Sequence, residues 1–153
     1  MPDNAPQALA YQLPDGRTLS TAAHEAMNAY HAATERLGRV MAVVTAAAVR
    51  DILTGNDTAG VPFDATHAEL MEAADGLLHA TGRYWTADGT ETSFTATLGT
   101  YAGGEVFDMN EWVPYLNYDN ERAWKPLVTK LPERDGQAVY RIDLAKAAGL
   151  PLD

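Results

Sequence analysis

The chain contains no cysteine. That single absence excludes a disulfide scaffold, a thiolate metal centre and a cysteine nucleophile together. Long apolar runs are also missing. The longest, 40–49, is interrupted by Thr45 and falls far short of the roughly 20 residues a bilayer-spanning helix needs. The opening MPDNAPQALA has neither a basic region nor an apolar one, so it does not read as a secretory leader, and the cytoplasm is the expected compartment. Basic residues are nearly absent from the middle of the chain: 51–121 holds thirteen acids against Arg83 alone. A stretch this one-sided repels nucleic-acid phosphates and anionic membranes and attracts basic proteins. No nucleic-acid or membrane partner is therefore expected. The plainer reading is a solvated acidic surface that keeps the protein soluble.

Linear catalytic motifs are missing too. There is no HExxH and no GxSxG, and Gly103-Gly104 is not followed by a phosphate-binding pattern. His24, His31 and Glu35 fall on one predicted helix at spacings of seven and four, a pattern that can chelate a metal. Histidines edging a helix interface explain it as well. His67 and His79, twelve apart, would lie about 120° apart around a helix and could not share one ion. No metal and no cofactor are expected. The chain leans toward a non-enzymatic protein, although active sites are assembled in space and need no linear motif. The end, 143–151, looks like half of a helix-turn-helix, but no residues follow to form a recognition helix.

What is present points to one α+β domain over 1–153, with two packed helices, one of them long, and antiparallel β-hairpins. With 153 residues and 46% hydrophobic residues, such a chain can bury a core without staples. Pro14-Asp15-Gly16 is turn chemistry and predicts a small hairpin between 11–13 and 17–19. From Thr21 to Leu53 no proline interrupts an alanine-rich stretch. Met27, Tyr30, Thr34, Leu37, Met41, Val44 and Ala48 recur there at helical spacing. A helix of that span measures about 50 Å, against a radius of gyration of about 15 Å for a compact domain this size. It must therefore break near Gly38 or pack on a second chain, which makes 21–53 a candidate homo-oligomer contact. A second helix is expected from Asp64 or Thr66 to Gly82, with Thr66 and Glu69 as a capping box and Leu70, Met71, Ala74, Leu77 and Leu78 facing inward. Glu69, Glu72 and Asp75 would then point to solvent. Asp88-Gly89 predicts a hairpin of strands 83–87 and 90–98 that sets Trp85 opposite Thr92. A last hairpin pairs 127–131 with 137–144, and Asp143 caps a closing helical turn.

Between the hairpins, 99–126 shows no long element but collects six of the thirteen aromatics: Tyr101, Phe107, Trp112, Tyr115, Tyr118 and Trp124. Glu105, Asp108, Glu111, Asp119 and Glu121 are interleaved with them. Aromatic planes beside carboxylates suit a protein interface, where Trp and Tyr dominate affinity, or the stacking of a sugar or cation. Some of the rings would simply cover the core. The functional expectation is an interaction protein, inhibitor-like or a structural subunit, that binds a basic partner or builds into an assembly. Its contact residues would be Glu69, Glu72, Asp75, Asp108, Glu111, Trp112, Tyr115, Tyr118, Asp119, Glu121 and Trp124. The alternative is a small-ligand or carbohydrate-binding protein, with or without enzymatic activity, using the 101–124 loop.

Overall fold

Asp15 starts the long helix rather than turning a hairpin. Its carboxylate accepts the Thr18 backbone N–H at 2.8 Å, and its carbonyl accepts that of Leu19 at 3.1 Å. These are the bonds of a helix N-cap. In the computed structural model, which describes residues 10–55 and 63–153, helix α1 runs without interruption over Gly16–Thr54. The hairpin expected at 11–19 is therefore replaced by a cap, since Asp suits either role and the alanine-rich stretch behind it favours helix. The helix stops where Gly55 takes a left-handed φ of 65°.

Two units divide the chain, one ending at Ala32 and the other beginning at Ala33. In the first, every described residue is exposed. The second holds the core, and α1 buries there Gly38, Ala42, Thr45, Ala46, Val49 and Ile52. This stripe lies one residue on from the expected Met41, Val44 and Ala48, a rotation of about 100°. Small side chains decide the rotation. A Cβ added at Gly38 would meet the Cβ of Ala123 at 2.8 Å, so the chain at 120–123 approaches the helix only because Gly38 has none. No break occurs at Gly38.

The α+β class stands, with one long helix and an antiparallel sheet. The second helix expected over 66–82 does not form. That stretch makes strand β1 (Ala65–Glu72), a turn, and strand β2 (Leu78–Thr86). Gly76, at φ 79°, and Asp75, which accepts the Leu77 N–H at 2.9 Å, build the turn that a helix there would have had to carry through. Alternation then wins over the 3.6 period: Ala68 and Leu70 face the core, while His67, Glu69 and Met71 face the other way.

The Asp88-Gly89 turn forms as expected and leads to strand β3 (Glu91–Ser93). Its register sets Trp85 opposite Glu91 rather than Thr92. Ser93 then caps the short helix α2 (Phe94–Leu98), so the strand expected to 98 ends early. Helices α3 (Ala102–Met109) and α4 (Glu121–Trp124) follow, separated by 3-10 turns. Strands β4 (Val128–Arg134) and β5 (Gln137–Asp143) form the last hairpin, and Asp143 caps α5 (Leu144–Ala148), as the sequence indicates. Strand order is β3-β2-β1-β5-β4, with every pairing antiparallel. One sheet face joins Leu70, Tyr84 and Ile142 to Ala42, Val49, Phe94, Val113 and Leu116 in the core.

Candidate functional site

The segment 101–124 separates into an anchored inner row and an exposed outer row. Asn110, just past α3, bonds both the N–H and the carbonyl of Ala80, at 2.8 and 3.0 Å. That fixes the end of α3 to β2 as a neighbouring strand would. Val113 and Leu116 are fully buried. Asn120, also buried, donates to the Tyr115 carbonyl at 2.7 Å and accepts from the Asn117 N–H and the Trp124 indole, both at 3.0 Å. The Trp124 indole also reaches the Asn117 carbonyl at 2.9 Å. Trp124 thus belongs to the interior and serves as an anchor rather than a contact residue.

The outer row is different. Tyr101, Phe107, Trp112, Tyr115 and Tyr118 are 68, 75, 44, 46 and 80% exposed. Scattered single apolar residues on a surface are ordinary; five large exposed rings within eighteen residues of sequence are a marked concentration. Glu105, Asp108, Glu111 and Asp119 are exposed among them. Glu105, Asp108 and Trp112 meet Asp51 of α1 around a shallow cavity of about 260 Å³. Glu72, Tyr118 and Glu121 meet around another of about 250 Å³, beside Lys125. Asp75 stays in the β1–β2 turn, 3.8 Å from the His79 ring.

Glu69 departs from the expected acidic surface. It is 1% exposed, because it lies on a central strand instead of a helix flank. Arg134 donates to both of its oxygens, at 2.8 and 3.0 Å, and the Thr81 hydroxyl donates at 2.9 Å. Burial alone would raise the Glu69 pKa. The hydrogen bonds from Arg134 and Thr81 outweigh it and hold the carboxyl below the usual range. On the same sheet face Arg83 pairs with Glu91 at 3.1 Å, and the Arg141 guanidinium lies 5.8 Å from the Trp85 ring centre. Trp85 and Val139 are buried there, outside the main core. The His67 pKa is lowered, by burial first and then by Arg141, against the opposing pull of Asp143. Sequence reasoning missed this face, because β1 and the start of β2 also fit a helical period and Glu69 and Arg134 are 65 residues apart in the chain.

The helix-borne pair is engaged locally. His24 meets the Ser20 carbonyl at 2.7 Å, and the His31 ring sits edge-on to Tyr30. Glu35 contacts Arg122 at 3.4 Å. Among the described residues no group of three or more His, Asp or Glu side chains is placed to hold a metal ion. No described helix is long and apolar enough to cross a membrane. Comparison with protein-family models, with curated proteins and with solved structures finds no match.

Proposed function

We propose that the 101–121 segment is a docking surface for a basic protein, and that the chain acts by binding rather than by catalysis. One observation carries this reading: five aromatic rings stand exposed among exposed carboxylates, on a backbone pinned from inside by Asn110, Asn120 and Trp124. Leaving such rings in water forgoes about 1.5–3 kcal/mol of burial for each large side chain. A partner that covers them recovers it. Rings of this kind supply the anchors of an interface, and the acids around them select lysine and arginine on the other side. Trp112, Tyr115 and Tyr118 are the anchors, with Asp108, Glu111, Asp119 and Glu121 as the surrounding charge. An inhibitor of a basic protein and a subunit of an assembly both fit this surface.

The experiment is association kinetics with a captured partner at several salt concentrations. Glu111→Lys with Glu121→Lys slows association and flattens its salt dependence, whereas Trp112→Ala speeds dissociation. Unchanged kinetics in both variants contradict the reading.

A second reading, a small cationic or sugar ligand, draws on the cavity where Trp112 meets Glu105, Asp108 and Asp51. Self-association through α1 draws on the exposed Leu19 and Met27. A cavity this shallow would cover only part of a small molecule, so the protein partner remains the reading adopted.

A further inference from the structure

The strongly acidic middle of the chain has one base, Arg83, and the fold places it beside bases from the far end. On the sheet face opposite the core, Arg83 and Arg134 line a groove of about 450 Å³ together with Glu69, Glu91 and Glu133. Its apolar surface comes from Trp85, Val139, Leu131 and Pro132. That volume lies within the usual range for small-molecule sites.

The hydrogen-bonding capacity of this groove is only partly used. A guanidinium has five N–H donors. Arg134 directs two of its groups at Glu69, and Arg83 gives one bond to Glu91. Both side chains are partly solvent-exposed, so the remaining donors face the groove or water. Arg141, the cross-strand neighbour of Glu69, has a buried Nε with no hydrogen-bond partner among the described residues. On the acceptor side, Glu133 is exposed and makes no hydrogen bond or ion pair among the described residues. The groove therefore offers spare guanidinium donors and a spare carboxylate across an apolar floor.

We propose that this groove binds a small zwitterion, an α-amino acid with an apolar side chain. The ligand carboxylate takes the free donors of Arg83 and Arg134, and its ammonium faces Glu133. Its side chain lies on Leu131 and Pro132, beside the edge of Trp85. The Glu69–Arg134 pair fixes the guanidinium in place before the ligand arrives, which lowers the entropy cost of binding. A simple anion would leave Glu133 unused and would meet the field of a chain of net charge -10. A zwitterion meets neither penalty.

The test uses the full chain and the indole N–H signal of Trp85 in a nitrogen-15 NMR spectrum, assigned with Trp85→Phe. The probes are L-leucine, L-isoleucine, L-methionine and L-phenylalanine, each titrated to about 10 mM, a range that detects millimolar affinity. At least one produces a saturable shift, while its N-acetyl derivative and its methyl ester bind at least tenfold more weakly. Arg83→Gln and Glu133→Gln each weaken binding about tenfold with an unchanged spectrum elsewhere, since both side chains are exposed. A flat titration with all four amino acids overturns the proposal. So does an ester that binds as well as the free acid, or an Arg83→Gln variant that binds as the parent does.

Discussion

The carboxylate of Glu69, at the centre of the sheet, is gripped by both terminal nitrogens of Arg134, 65 residues further along the chain. The Arg134 side chain is 37% exposed, whereas that of Glu69 is 1% exposed. The bond therefore ties the tip of the β4–β5 hairpin over β1, with the desolvation cost falling almost entirely on the acid. Such a pair is sensitive to the loss of one member and tolerant of the loss of both.

Glu69→Ala leaves Arg134 and the Thr81 hydroxyl without their acceptor, while Arg134→Met strands a buried carboxylate. Arg134→Met is the more damaging, by about 3–5 kcal/mol in urea unfolding. The double variant Glu69→Leu, Arg134→Met recovers much of that loss. If the two single costs simply add, the pair is not coupled as described.

The pH dependence has a defined sign at two groups. Glu69 has its pKa depressed in the fold, so its contribution is complete above the ordinary carboxylate value of 4.5 and is lost as pH falls through the folded value. His67 is also depressed. The fold favours its neutral form, so this contribution is present above 6.5 and declines as pH falls from there. Unfolding midpoints measured between about pH 3 and pH 8 should fall in two steps on acidification. Glu69→Gln should reduce the lower step, to which the depressed carboxyls of Asp15 and Asp88 also contribute, and His67→Gln should remove the upper one.

Two glycines in helices respond oppositely to alanine. In an open helix position alanine gains about 0.5–1 kcal/mol over glycine. Gly103 has nothing within 4 Å of an added Cβ, so Gly103→Ala raises the melting temperature. Gly38→Ala brings a methyl to 2.8 Å from the Ala123 Cβ. Ala123 has no flexible end to move, so the backbone must shift, at a cost of about 1–3 kcal/mol. Calorimetry on both variants reads the two signs directly.

The legible parts of this fold are those where local chemistry agrees with tertiary packing. Asp143 caps the last helix and Ile142 and Leu144 point inward, as the alternation and the cap residue indicate. Residues 66–82 mislead because Thr66-x-x-Glu69 imitates a capping box and Leu70, Ala74, Leu77 and Leu78 also fit a helical period. The alternation of Ala68 and Leu70 with His67 and Glu69 is too short to outweigh that pattern. Residues 11–19 mislead because Pro-Asp-Gly serves equally as a turn and as a helix start. At the candidate surface, composition alone located the aromatic segment. It could not separate the inner Trp124 from the outer Trp112, because that distinction rests on the hydrogen bonds Asn120 makes within the fold. Nor could it locate Glu69 in the interior, since its neutralising partner sits on a distant hairpin.

The proposed docking surface is tested most directly by photo-crosslinking from position 112. With p-benzoylphenylalanine at 112, crosslinking in cells of the source organism, followed by mass spectrometry, should yield one predominant partner of net positive charge. That adduct should fall with added salt and disappear when Glu111 and Glu121 are both reversed to lysine. Crosslinks from 112 that are confined to copies of this chain, or that persist unchanged through the charge reversal, would contradict a surface built for a basic protein.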